Sequence, residues 1–329
     1  MGACIGDAVA GRSLGKKAMF LGAFAQSIPD LDFITTFWLD DADDIINHRG
    51  ITHSFIFAVM ATFTLAGICR YLFRGLSIGW RTWVLLFGLN IATHLFIDSF
   101  NAYGIGWLEP FSSKRFSLHL LFVADPLFSF WPFIACIALF LLKQTSIKRK
   151  KWYWVGLGIP ACYMAFALTS KLIVQSDVKK ALAAKGISTS QYLVTPTPFN
   201  SMLWFVAAKD DSGYYITHRS VFDNHDQIQF TWFPQNDELQ SEVADKKALN
   251  KMIRFANRFY TLEKTNDTVV LNVLRFGQIT GWYDPKAKFC FYYYCDRPGA
   301  NEIVAQRGRF QNWNRKTMRS FLHRIGGGE

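Results

Sequence analysis

The feature that most constrains this chain is a series of apolar runs in its first 175 residues. A bilayer's hydrocarbon core is spanned by about 20 predominantly apolar residues in a helix. Phe55–Phe73, Trp80–Phe100, Leu118–Leu142 and Trp152–Val174 reach or approach that length, and a shorter run, Ala18–Ile28, precedes them. Half of the 329 residues are hydrophobic and only 19% are charged, which is apolar for a soluble protein. The formal charge of +11 would suit a nucleic-acid partner if the cations were clustered. They instead flank the apolar runs, as the cytoplasmic edges of membrane helices do, so no nucleic-acid partner is expected.

The expected architecture is a mainly α-helical polytopic membrane domain of about five segments, residues 1–175, followed by a soluble α+β domain, residues 176–329. Met1–Gly11 has neither the charged region nor the cleavage site of a signal peptide. In the second half, Ser176–Gly186 reads as a short helix ended by glycine. Strand-like alternation follows in Ser201–Ala208, Tyr214–Phe222, Ile228–Phe233, Val269–Phe276 and Phe289–Cys295. The spacing of Leu249, Met252, Ile253, Ala256, Phe259 and Tyr260 predicts an amphipathic helix over Lys246–Glu263. The six cysteines form no CxxC pair; a disulfide between Cys290 and Cys295 stays open at this point. His218, Asp223, His225 and Asp226 read as a polar hairpin, and the basic stretch Arg307–Arg324 as a solvated tail that can meet anionic headgroups.

Polar residues gather at the ends of the apolar runs. His48-Arg49-Gly50-Ile51-Thr52-His53-Ser54 sits at the mouth of the second run, where ionisable groups are costly and mark function. Asp30 and Asp32 form a D-x-D pair after Pro29, which is a carboxylate pair able to converge on a cation and also ordinary turn chemistry. The acidic stretch Asp40, Asp41, Asp43 and Asp44 reads as a solvated loop. His94 and Asp98 stand at i and i+4, on one face of the third run, with Asn90 a turn earlier as a candidate supporting donor. His119 and Asp125 open the fourth run. Placing the basic loops Arg70–Arg81 and Lys143–Lys151 in the cytoplasm puts all these His and Asp residues at the opposite face. Four separate pieces of sequence then deliver imidazole or carboxylate to one side of the membrane.

Those residues also carry a resemblance. Gly22-Ala23 through Pro29-Asp30-Leu31-Asp32, the HRGITHS element, Thr93-His94-Leu95-Phe96-Ile97-Asp98, Tyr103-Gly104, Pro110-Phe111-Ser112 and Asp125-Pro126 resemble the YdjM-like family of LexA-regulated, inner-membrane-associated, predicted metal-dependent hydrolases. Thr197-Pro198-Phe199-Asn200-Ser201-Met202-Leu203-Trp204 extends the match more loosely into the second half. Family members carry a histidine shortly before the Gly-Ala-rich opening, whereas this sequence begins Met1-Gly2-Ala3. Either the start is truncated or Asp7 and the remaining ligands suffice.

The expected site is therefore a divalent-metal centre built from Asp30, Asp32, His48, His53, His94 and Asp98. Mixed imidazole and carboxylate donors suit zinc, with manganese or iron behind it. A metal-activated water would be the nucleophile, Asp32 or Asp98 would take its proton, and Arg49 would stabilise the developing anion. The expected activity is hydrolysis of an ester or phosphoester in a lipid or lipid-linked substrate. The expected location is a bacterial-type inner membrane, multi-pass, with the soluble domain on the non-cytoplasmic side. The competing readings are a metal or proton transporter and a non-catalytic membrane protein with a structural metal site.

Overall fold

In the computed structural model, the described residues are 1–32, 49–187, 189, 191–224, 228–296, 310 and 313–328. They divide into two compact units, the first formed by 1–32, 49–118 and 123–166, the second by 119–122 and the residues from 167 onward.

The first unit is helical. α1 (Gly2–Leu14) and α2 (Lys16–Ser27) make a hairpin about Gly15, whose φ of 59° is the left-handed conformation that only glycine adopts freely. The two helices approach closely because Gly6 faces the Ala18 carbonyl and Gly22 faces the Gly2 carbonyl, leaving no room for a Cβ at either glycine. Small residues at such a seam are how helices associate where lipid removes the hydrophobic drive. α3 (Phe55–Leu72) starts at Ser54, whose hydroxyl accepts the Phe57 amide at 3.2 Å. α3 packs on α4 (Trp80–Asp98) through Ile91 and Leu95 on one side and Ala58, Ala61 and Leu65 on the other. α5 (Pro126–Leu141) begins at Asp125, which accepts the Leu127 and Phe128 amides and the Tyr163 hydroxyl. α6 is one helix over Arg149–Ala184, including a π turn at Trp154–Gly158 where Gly156 rests on Ala135 and Cys4.

Two helices among the described residues, α3 and α6, are long and apolar enough to cross a membrane, against the five expected from the apolar runs. The reasons are local. α1 and α2 have 13 and 12 residues, α5 has 16, and α4 carries Arg81, Asn90, His94 and Asp98 within its 19. The run Trp152–Val174 and the expected short helix Ser176–Gly186 are continuous in α6.

Cations collect at one end of this unit. Lys17 lies 5.6 Å over the Phe73 ring after α3, and Lys16 lies 4.2 Å over Phe140 near the end of α5. Nearby, the carboxylate of Asp7 is buried against Arg149, whose Nε donates at 3.1 Å, and against the Tyr153 hydroxyl at 2.9 Å. Arg149 also donates to the Leu139 and Leu142 carbonyls that end α5. One ion pair thus ties α1, α5 and α6 together.

The second unit is β-rich. β1 (Tyr192–Pro196), β2 (Leu203–Lys209), β3 (Gly213–Ser220) and β4 (Thr231–Pro234) form an antiparallel sheet in that order, and β5 (Tyr260–Thr265), β6 (Thr268–Gln278) and β7 (Phe289–Tyr294) form a second. Strands were expected where β2, β3, β4, β6 and β7 lie, and β1 and β5 were not. The helix expected over Lys246–Glu263 stops at Phe255 as α7 (Lys246–Phe255), because Asn257 and Arg258 adopt φ of 51° and 61°. Left-handed residues cannot continue an α-helix, so Tyr260 enters β5. Cys290 and Cys295 are both free thiols. Asp223 is taken by Arg324, which anchors α8 (Arg315–Ile325), while His225 and Asp226 lie outside the described residues.

Two outcomes are expected. Arg149→Met leaves Asp7 as an unpaired buried charge and destabilises the helical unit by about 3–5 kcal/mol, whereas adding Asp7→Asn recovers most of it, as thermal unfolding in detergent would read. In the second unit, burial and then the Arg324 charge pull the His218 pKa down to about 3 from 6.5. The unfolded chain therefore takes up a proton that the folded unit refuses, so stability falls as pH drops from about 6.5 toward 3. Amide exchange in β2 and β3 should accelerate over that window, and His218→Gln should flatten the change.

Candidate metal centre

Three helix ends build the site. Asp30 follows α2, His53 closes a 3₁₀ turn (Ile51–His53) that leads into α3, and His94 and Asp98 lie on the last turns of α4. Their donor atoms converge. His53 Nε2 is 3.2 Å from His94 Nε2, 3.5 Å from Asp30 Oδ1 and 3.5 Å from Asp98 Oδ2. His94 Nε2 is 3.5 Å from Asp30 Oδ1 and 3.7 Å from Asp98 Oδ2. All four atoms lie within 4.8 Å of one another. Tetrahedral bonds of about 2.0–2.2 Å to nitrogen and oxygen require donor separations of roughly 3.3–3.6 Å. Five of the six separations, 3.2–3.7 Å, lie close to that range, and the group could hold a divalent ion.

Thr52 donates its hydroxyl to Asp32 Oδ2 at 3.1 Å, which leaves its oxygen to accept from His53 Nδ1, also at 3.1 Å. That arrangement places the His53 proton on Nδ1 and turns the Nε2 lone pair into the quartet. Burial opposes a positive charge on His53, yet the hydrogen bonds to Asp30 and Asp98 and the charges of Asp98 and Asp32 raise its pKa overall, so a proton and a metal ion compete for the Nε2 lone pair. The charged side chains gathered here with the two histidines are Asp30, Asp32, Asp98 and Arg49, whose Nε is 3.2 Å from Asp98 Oδ2. Three carboxylates against one cation leave two negative charges, the amount a divalent ion neutralises.

Asp32 stands on the other side of His53 from the quartet, with Oδ2 3.6 Å from Nδ1. It occupies the place of the carboxylate that orients a metal-binding imidazole. It also accepts the Arg49 backbone amide at 2.6 Å. Arg49 has a φ of 62°, its carbonyl accepts the Gly106 amide at 3.0 Å, and its guanidinium lies 5.2 Å over the Tyr103 ring. Arg49 Nη1 is buried and makes no hydrogen bond among the described residues.

The remaining expected residues fall elsewhere. His48 and the acidic stretch Asp40, Asp41, Asp43 and Asp44 lie outside the described residues. Asn90 donates to the Leu86 carbonyl of its own helix at 2.7 Å, not to His94. Asp7 is held by Arg149, and Asp125 caps α5. His119 is buried in the second unit, with Nδ1 making no hydrogen bond among the described residues. Thr52 and Tyr103 are contributors that the motif reading passed over. Thr52 was legible as the hydroxyl beside a ligand histidine; Tyr103 carried no spacing signal.

Fold and site together define a helical region with two helices long and apolar enough to cross a membrane and a His/Asp group able to hold a metal ion, followed by a β-rich region. The family described as YdjM inner membrane protein matches residues 1–174, more than half of the sequence, and the chain belongs to that family. It is similar to inner membrane protein YbcI of Escherichia coli (strain K12), 27% identical over 161 residues, which covers 46% of this chain and 85% of that protein. It is also similar to the uncharacterized protein YfhP of Bacillus subtilis (strain 168), 27% identical over 239 residues, covering 69% of this chain and 67% of that one. No solved structure matches.

Metal analysis of the purified protein should find close to one divalent ion per chain, lost in His53→Ala and in His94→Ala. Asp32→Asn should keep the stoichiometry at saturating metal and weaken affinity about 10–100-fold, read by chelator competition.

Proposed function

We propose that this protein is a membrane-bound metal-dependent hydrolase acting on an ester or phosphoester bond of a lipid or lipid-linked substrate. The observation that carries the reading is the Asp30–His53–His94–Asp98 quartet with the Arg49 guanidinium beside it. In this reading His53, His94 and Asp98 are the fixed ligands, since their side chains are buried or nearly so. Asp30 is about half exposed, with side-chain accessibility of 51%, and is the corner through which water and substrate enter. A divalent ion, zinc first by donor type and manganese or iron next, would lower the pKa of a bound water to about 7. Asp30, being exposed and adjacent, would be the group to take a proton from such a water, and Asp32 keeps His53 in its tautomer. Arg49 Nη1 offers a donor to an anionic oxygen of the substrate, which favours a phosphoester.

The orientation follows from the basic loops. With Arg70–Arg81 and Lys143–Lys151 on the cytoplasmic side, the chain is multi-pass, the quartet opens at the non-cytoplasmic surface, and the residues after Ala184 lie on that side. A transport pathway would distribute ionisable groups through the membrane, whereas the quartet sits where α2 ends, α3 begins and α4 ends. A structural ion is the second reading, favoured by the presence of four protein donors, the usual number in a closed site.

The test is release of product from a panel of phospholipid esters and phosphoesters by purified protein in mixed micelles. Metal-dependent turnover is expected, absent in His94→Ala and lowered about 10²–10³-fold in Arg49→Ala with metal retained. Asp30→Ala separates the readings: a catalytic centre keeps its ion and loses turnover, and a structural centre loses ion and thermal stability together. Absence of turnover on every substrate by metal-loaded protein would overturn the hydrolase.

A further inference from the structure

The loop that closes over the quartet's end of the helical unit displays apolar side chains outward. Residues 101–117 fold back on themselves through paired hydrogen bonds between Ile105 and Phe116, at 3.0 and 2.9 Å. The turn between them is tightly tied: Glu109 N–H reaches the Gly106 carbonyl, and the Phe111 and Ser112 amides both reach Leu108. At its tip Leu108 is 57% exposed and Phe111 83%. A single exposed Phe would need no explanation. Here further exposed apolar groups belong to the same segment or to the residues it bonds, namely Phe116, Phe55 and Ile51.

The loop is also joined to the start of a membrane-length helix. The Phe55 amide, first in α3, donates to the Trp107 carbonyl at 3.0 Å, and the Trp107 ring packs between Phe55 at 5.1 Å and Phe116 at 4.4 Å. The 18 residues of α3 rise about 27 Å, close to the roughly 30 Å of the hydrocarbon core. If α3 spans, Phe55 lies at the edge of that core and Trp107 lies at headgroup depth, where tryptophan is enriched. Phe111 is then within reach of the acyl chains, and the exposed Lys114 follows three residues later.

We propose that the 101–117 loop is a leaflet anchor: Leu108 and Phe111 enter the lipid leaflet at the metal-centre end while Lys114 meets lipid phosphate. The partner is the bilayer itself. The proposal rests on the membrane placement of α3 and is independent of whether the quartet turns over substrate. Because Gly106 holds the Arg49 carbonyl, the same loop sets the height of Arg49 above the leaflet.

The test places a trifluoromethyl-phenylalanine at Phe111 in the full chain, reconstituted into nanodiscs of phosphatidylethanolamine and phosphatidylglycerol. Fluorine relaxation is compared with dissolved oxygen, which concentrates in lipid, and with a water-soluble gadolinium chelate. The same label at Phe63 in α3 gives the lipid reference, and at Asp211, in the exposed β2–β3 turn, the aqueous one. At Phe111 oxygen is expected to dominate, as at Phe63. Dominance of the chelate would overturn the anchor, and so would protection from both agents, which would place Phe111 against protein.

Discussion

Two imidazole nitrogens 3.2 Å apart, each within 3.7 Å of two carboxylates, set the terms for the rest of the helical unit. Such a cluster is unfavourable by itself, because carboxylates beside one another in a poorly solvated place repel. It persists only where the backbone holds the donors against that repulsion or where a cation neutralises it. The hairpin of α1 and α2, the α3–α4 contact and the Asp7–Arg149 tie at the far end make a frame rigid enough to do the first. The charge count of the quartet and its neighbours supplies the reason for the second.

The polar groups of the helical unit divide by what they contact. Three buried carboxylates have structural partners: Asp7 with Arg149, Asp125 with the first amides of α5, and Asp32 with Thr52 and the Arg49 backbone. The groups that converge without such partners lie where helices begin and end. This pattern also separates the site from the second unit, where Asp223 is fully engaged by arginines and His218 is kept neutral by its surroundings.

Much of the site was legible because chemistry-bearing residues stood at the margins of apolar runs, where their cost argues for a use. His94 and Asp98 declared themselves through helical spacing, and His53 through its place before a helix. Which aspartate of the D-x-D pair would enter the quartet was not legible, since the choice depends on the Arg49 amide capturing Asp32. The count of membrane helices was overstated because hydropathy ignores where a helix ends, and α1, α2 and α5 end early. The β5 strand was hidden because Phe259 and Tyr260 continue the helical spacing of α7; only the left-handed backbone at Asn257 and Arg258 breaks it. β1 is a short strand, Tyr192–Pro196, that escaped an alternation search.

Asp32 accepts both the amide of Arg49 and the hydroxyl that positions His53. The guanidinium and the imidazole therefore share one fulcrum. A change in the carboxylate's position moves the anion-facing group and the metal-facing group together, and no substitution at Asp32 can adjust one alone. Asp30 differs: it is half exposed and supports no neighbour's backbone among the described hydrogen bonds, so a substitution there acts on the quartet alone. The site thus combines a carboxylate that can be altered by itself with a part that can change only as a whole.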